Sequence, residues 1–201
     1  MLFIIPNSSF LIPHSQFLIP HSQLLIKQTL LSNETVSLRA VEPSDLDMLY
    51  MLENDTDAAE CSFGTAPPSR HMLWQYIENY SADIHAGGEI RFVIVENASG
   101  LSVGTIDISD YNTRDRHGFV GIAILPGSRR RGLGYDALKL LCSYASETIG
   151  AHSLAAQVAA DNEASRRMFA KAGFHTCGSL RSWIRRGKHY ADVLLYQILF
   201  P

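Results

Sequence analysis

The chain has 201 residues, 46% hydrophobic and 18% charged, with a formal net charge of −3. That length suits one domain with a sizeable core, and the slightly acidic balance leaves no footprint for broad nucleic-acid binding. Cys61, Cys142 and Cys177 lack C-x-x-C spacing, and the eight histidines form no H-E-x-x-H or comparable cluster; these features point to reduced, buried thiols, a cytoplasmic setting and no metal site.

Residues 1–30 stand apart from the rest. Phe10-Leu11-Ile12-Pro13-His14-Ser15-Gln16 recurs unchanged as Phe17-Leu18-Ile19-Pro20-His21-Ser22-Gln23, after an imperfect copy from Phe3 to Ser9. Pro6, Pro13 and Pro20 interrupt the apolar runs, which argues against a spanning helix and against a coiled coil. A basic n-region and a cleavage site are also missing, so the segment does not read as a signal peptide. The expectation is an ill-ordered low-complexity extension or a mis-called start, followed by a single domain over 31–201.

The body alternates strands and helices. Val36-Ser37-Leu38-Arg39 reads as a first strand. Pro43 opens a short helix carrying Leu46, Leu49, Tyr50 and Leu52, followed by an acid cluster of Glu53, Asp55, Asp57 and Glu60. Ser69 is positioned to cap a second helix whose apolar positions, Leu73, Trp74, Ile77, Tyr80 and Ile84, run to Gly87-Gly88. Strands are expected over 91–96 and 103–108, with Asp107 at the end of the second and Asp110 just after it. The nearly unbroken apolar run Phe119–Leu125 reads as a central strand buried on both faces. A helix is expected over 135–149, with Leu138, Leu141, Cys142 and Ala145 inward, then a buried strand over 153–160. Asp161 or Asn162 caps a further helix that stops at Gly173. Strands over 176–184 and 189–199 flank the hairpin signal Arg186-Gly187-Lys188.

Between the central strand and the helix after it lies Leu125-Pro126-Gly127-Ser128-Arg129-Arg130-Arg131-Gly132-Leu133-Gly134. A loop entering a helix N-terminus presents backbone N–H groups without intrahelical partners, and the helix dipole adds positive potential. The glycines permit positive φ and close approach, and the three arginines supply fork-shaped donors for phosphate. The loop matches neither the Walker pattern nor G-x-G-x-x-G.

This stretch resembles the pyrophosphate loop of the GNAT acetyltransferases, Gln/Arg-x-x-Gly-x-Gly/Ala, here Arg129-x-x-Gly132-x-Gly134. A second block, Asn162-Glu163-Ala164-Ser165 followed by Phe169-Ala170-Lys171-Ala172-Gly173-Phe174, is similar to the family's downstream segment and stands in the family's order. The resemblance runs from about Thr35 to Phe200. It implies a mixed α/β GNAT fold: a central, mostly antiparallel sheet, splayed to admit acetyl-CoA and flanked by helices. It further implies direct transfer of acetyl from acetyl-CoA, as co-substrate, to a primary amine. On that reading the cofactor is held by Ile122, Ala123 and Ile124 along the strand, and by Arg129, Arg130, Arg131, Gly132, Leu133, Gly134 and Tyr135 in the loop. Asn162, Ser165 and Phe169 would contact it from the following helix. Helix capping by Asn162 and a solvent-facing place for Ser165 are the structural alternatives, and Lys171 reads as a solvated charge at the helix end.

Many family members carry a proton-donating tyrosine where this chain has Phe169. As catalytic base the sequence offers Asp107, Asp110 and His117, with Glu53 and Glu89 weaker and a water chain as the alternative; as proton donor to the sulfur it offers Tyr135, Tyr190, Ser165 or water. The fuller pattern, including Gly187-Lys188-His189-Tyr190-Ala191-Asp192-Val193, looks most like the spermidine/diamine and the ribosomal-protein-alanine N-acetyltransferases. The expected partner is therefore a small-molecule or peptide amine, a polyamine or diamine before a protein N-terminus, with neither nucleic acid nor membrane. A non-catalytic acyl-CoA-binding module is the alternative, and the sequence leaves homo-oligomer formation open.

Overall fold

A computed structural model describes residues 31–55 and 66–201. The N-terminal repeat, Cys61, Asp57 and Glu60 lie outside the described residues.

Among the described residues, seven strands form one sheet in the order β1-β2-β3-β4-β5-β7-β6. They are β1 (Val36–Arg39), β2 (Ile90–Glu96), β3 (Leu101–Asn112), β4 (His117–Ile124), β5 (Ser153–Ala159), β6 (His175–Arg186) and β7 (His189–Leu199). All neighbours pair antiparallel except β4 and β5. The helices are α1 (Leu46–Glu53), α2 (Arg70–Asn79), a single turn α3 (Ile84–Gly87), α4 (Leu133–Tyr144) and α5 (Glu163–Lys171). Among the described residues, no helix is long and apolar enough to cross a membrane.

The period of two along each strand divides the apolar residues between two cores. Ile94, Ile106 and Ile108 pack with Leu138 and Leu141 of α4 and with Leu154 of β5. Val93, on the opposite face, packs with Met48, Leu49 and Leu52 of α1 and Leu73 of α2. α4 turns Leu138, Leu141 and Cys142 inward as its spacing requires, and extends through a single π turn over Ala145–Ile149 to Gly150.

Four expectations about these elements need correction. The second helix does not run to Ile84: it ends at Asn79, and α3 starts afresh on its own cap, Asp83, whose side chain accepts from the N–H groups of His85 and Ala86. Tyr80 leaves the helical path because its phenol is tied to the β2 backbone, and Trp74 stays 38% exposed. Asp107 and Asp110 lie within β3, which continues to Asn112 through a bulge where Asp110 takes φ 49°. The run 119–125 is not buried on both faces: Phe119 and residues 121–125 are only partly buried. Cys177 is exposed on the edge strand β6, whereas Cys142 is buried.

One buried ion pair ties the start of the fold together. The Asp45 carboxylate is 3% exposed and accepts two bonds from Arg39, at 2.6 and 2.7 Å. It also accepts from the Glu42 N–H at 2.9 Å and from Ser102 Oγ at 3.2 Å. Burial alone would raise this carboxyl, but the bonds from Arg39, the Glu42 N–H and Ser102 outweigh it and hold the group below the usual carboxylate range. A depressed carboxyl stabilises the fold above its unfolded value, and that contribution is lost as pH falls through the folded value. Asp45→Asn is accordingly expected to destabilise the protein by about 1–3 kcal/mol at pH 7. In denaturant titrations the difference from the unsubstituted protein should shrink as pH is lowered below ~4.

Candidate functional site

β4 pairs with β5 over only three residue pairs, His117 with Ser153 through Phe119 with Ala155. Beyond that the strands part, while β4 stays paired with β3 as far as Ile124 with Gly104. The Leu125 N–H donates to Val103 on the β3 side. By alternation, Ala123 turns its backbone toward β3, and Ile122 and Ile124 turn theirs to the open side. The Ile124 carbonyl there accepts from Arg129 Nε at 2.9 Å.

A groove of about 590 Å3 occupies the gap. Ile122, Ala123 and Ile124 form one wall, and Asn162, Ser165 and Met168 the other. Its end is closed by Ser128, Arg129, Arg130, Gly132, Leu133, Gly134 and Tyr135. Gly134 allows α4 to enter tightly against both walls: a Cβ there would lie 3.3 Å from Met168 Sδ and 3.5 Å from Ile122 Cδ1 and Ile124 Cγ1. Arg130 and Gly132 take φ 62° and 85°, left-handed values of the kind from which anion-binding turns are built, and Gly132 stands at the N-cap of α4. A strand edge open at Ile122 that leads to a left-handed turn at a helix N-terminus is suited to an extended molecule that carries amides and phosphates.

The structure redistributes several sequence-derived roles. Arg131 is drawn away from the groove into an ion pair with Glu96 of β2, and Arg129 pairs with Asp55 while remaining in the lining. Asn162 caps α5, its Oδ1 accepting the Ser165 N–H at 3.1 Å, and still lines the groove. Phe169 lies outside the lining: it is 3% exposed and packs edge-on against Phe174 with ring centroids 5.1 Å apart, and flat against Tyr196. Tyr135 lines the groove, and Lys171, exposed in the last turn of α5 as expected, places its Nζ 4.0 Å from the centre of that ring. His117 is exposed at the far end of β4, seven residues from Ile124. At ~3.4 Å per residue, that separation removes it from the open edge.

Of the acidic candidates, Asp107 is the one that the fold seats against β4 beside the open edge. It stands opposite Gly121 of β4 and opposite Arg91 of β2. A Cβ on Gly121 would lie 2.5 Å from Asp107 Oδ1, so the carboxylate rests over the backbone one residue before Ile122. Arg91 Nε is 3.4 Å from the carboxylate, and the side chain of Asp107 is 14% exposed. Burial raises this carboxyl, and Glu89 and Glu53 add to the rise, so Asp107 stays above the usual carboxylate range although Arg91 opposes the shift.

Sequence reasoning missed Arg91, Gly121 and Arg186. Arg91 was marked by its place, a lone cation in the apolar strand Ile90-Arg91-Phe92-Val93-Ile94-Val95. Arg186 was assigned to a turn, yet it is 8% exposed, lies 3.4 Å from Asp161 and lines the groove.

The family sequence model described as "Acetyltransferase (GNAT) domain" matches residues 35–175. A Bacillus subtilis (strain 168) protein, "Uncharacterized N-acetyltransferase YoaA", is 23% identical over 172 residues, covering 86% of this chain and 97% of that protein. The Vibrio cholerae spermidine N-acetyltransferase, crystallised with CoA and spermine, superimposes with a TM-score of 0.75 at 24% identity, covering 83% of this chain and 96% of that one. A dodecameric structure of spermidine N-acetyltransferase from Vibrio cholerae in an intermediate state gives 0.71 at 24% identity, covering 83% and 95%.

The raised Asp107 carboxyl has a consequence for stability. A carboxyl whose folded value exceeds its unfolded value destabilises the fold as pH rises from the unfolded value through the folded one. Asparagine keeps the shape of the protonated acid. Asp107→Asn should therefore raise the melting temperature at pH 7, by about 2–4 °C for each kcal/mol gained, and calorimetry at pH 7 and pH 4 should show the gain shrinking at the lower pH.

Proposed function

This chain belongs to the GNAT family of N-acetyltransferases, and we propose that it transfers acetyl from acetyl-CoA to a small primary amine, a diamine or polyamine, with Asp107 accepting the amine's proton. The observation that carries this reading is the open edge of β4 at Ile122 and Ile124, with the anion-binding turn at one end and Asp107 seated over Gly121 beside it.

Ile122 and Ile124 hold the pantetheine amides as an added strand would. The N–H groups between Arg130 and Tyr135, together with the Arg129 and Arg130 guanidinium groups, hold the pyrophosphate. Asn162 and Ser165 border the arm from α5. Acetyl-CoA supplies a thioester carbonyl whose C–S bond breaks as the C–N bond to the amine forms, leaving the amide and free thiol.

The main difficulty left to the protein is the amine's proton. An alkylammonium with pKa ~10.4 costs about 4–5 kcal/mol to present as free base at pH 7, against about 2 kcal/mol for a thiolate of pKa ~8.5. Asp107 addresses the ammonium, the harder of the two. Its raised carboxyl and its place beside the reactive strand suit a proton acceptor. Phe169 cannot protonate the thiolate, and its packing in the core supports a structural role. Glu53 and Glu89 near Asp107 give the acceptor side of β4 a negative potential that favours an acceptor with more than one positive charge.

Thiol release from acetyl-CoA, followed with spermidine, a diamine and an alanine-starting peptide, tests the reading. Saturable release with a polyamine or diamine is expected; release with the peptide alone would move the acceptor to protein N-termini. Tight acetyl-CoA binding without release from any amine would favour a binding module.

Two substitutions should separate binding from chemistry. Asp107→Asn is expected to lower kcat by about 10²–10⁴-fold with acetyl-CoA affinity unchanged in calorimetric titration. Arg130→Ala should weaken acetyl-CoA binding by about tenfold or more through the loss of a charge-assisted phosphate contact. Arg131→Ala, at a side chain engaged by Glu96, should weaken it less.

A further inference from the structure

Arg91, Asp107 and Gly121 form one row across three adjacent strands, since Arg91 is the register partner of Asp107, and Asp107 of Gly121. Side chains in such a row project from the same face of the sheet. Asp107 is thus bounded on one side by a guanidinium and on the other by a residue with no side chain. The empty side faces the strand that carries the open edge.

The guanidinium is itself held from every element around it. It lies over the Tyr76 ring, 5.2 Å from the centroid. Glu53, at the end of α1, is 3.7 Å from its NH1, and Glu89, just before β2, is 3.7 Å from its Nε. Tyr76 in turn donates to Glu89 at 3.1 Å. The backbone of Arg91 is pinned by Tyr80, whose phenol accepts the Arg91 N–H and donates to its carbonyl at 3.3 Å. The side chain of Arg91 is only 22% exposed. Nε is buried without a hydrogen-bond partner, and the carboxylates stand at ion-pair distances longer than a hydrogen bond.

A guanidinium keeps its charge at any working pH and stacks on an aromatic face, which an ammonium does less well. With Glu53 and Glu89 close by, the Asp107 carboxylate faces two like charges, and Arg91 is the cation that offsets them. We propose that Arg91 is the positioning residue of the reaction: it holds the Asp107 carboxylate over Gly121 and keeps it ionised, so that Asp107 can take one proton from the acceptor ammonium and leave the neutral amine to attack. The second N–H proton then passes to the departing thiolate, and the sum is amide, thiol and one proton held by Asp107 and released to solvent.

This inference rests on the role of Asp107 proposed above, and the experiment tests the two separately. The pH dependence of kcat at saturating amine is compared between the unsubstituted protein, Arg91→Gln, Arg91→Lys and Asp107→Asn. kcat is used because the free amine's own titration enters kcat/KM. Arg91→Gln is expected to move the acidic limb of kcat upward by about one pH unit or more, lowering the rate about tenfold on the acidic side of the limb and restoring it on the alkaline side. Arg91→Lys, which keeps the charge without the planar stack, is expected to shift the limb less, and both should bind acetyl-CoA as the unsubstituted protein does.

An unmoved limb, or a rate scaled down equally at every pH in both variants, overturns the role of Arg91. If Arg91→Gln does not fold, the Arg91→Lys profile decides by the same criterion. Full rate and an unchanged limb in Asp107→Asn overturn the assignment of Asp107 instead.

Discussion

The structure depends on one incomplete strand pairing. β4 and β5 share three residue pairs and then separate, inside a sheet that is otherwise continuous from β1 to β6. Backbone N–H and C=O groups left unpaired in a protein interior are expensive, and an open strand edge is a template for pairing. The chain answers the Ile124 carbonyl with Arg129 and leaves the groups of Ile122 facing a groove. Gly134 of α4 lies close to Met168 of α5 and to Ile122 and Ile124 of β4, so that α4 packs tightly beside the gap.

Alternation along β4 then separates two tasks. Ile122 and Ile124 look toward α4 and α5 and shape the groove, whereas Gly121, Ala123 and Leu125 look toward α1 and α2. Asp107 and Arg91 share the Gly121 face. A ligand strand added at the open edge would thus have apolar packing on one side of the sheet and a buried charge row on the other. That row carries a cost: a carboxyl held above its usual range works against the fold, and the α1–α2 core of Met48, Leu49, Leu52 and Leu73 must offset it.

Much of the architecture was legible in the chain. The β-branched runs, the glycine turns and the 3.6-residue spacing of α4 mark elements whose local preference and burial agree, and the hairpin at Gly187-Lys188 forms where its turn residues stand. Expectation and structure part where a distant residue intervenes. Tyr80 continues the apolar period of α2, but its phenol finds the β2 backbone and the helix stops. The 119–125 run has the composition of a strand buried on both faces, yet β5 turns away from it. Arg129, Arg130 and Arg131 are adjacent and chemically alike, but Glu96 on β2 withdraws the third.

By itself the sequence determined the order of strands and helices, the basic glycine turn at the start of α4 and the resemblance to the GNAT acetyltransferases, because these are properties of residues near one another in the chain. Only the tertiary structure decided that Asp107 lies against Gly121 and Arg91, that His117 is remote from the open edge, and that Phe169 belongs to the core. The reason is physical. Which side chain faces which depends on strand register, and register is set by pairing across the whole sheet; a protonation state in turn depends on the burial and neighbouring charges that register brings together.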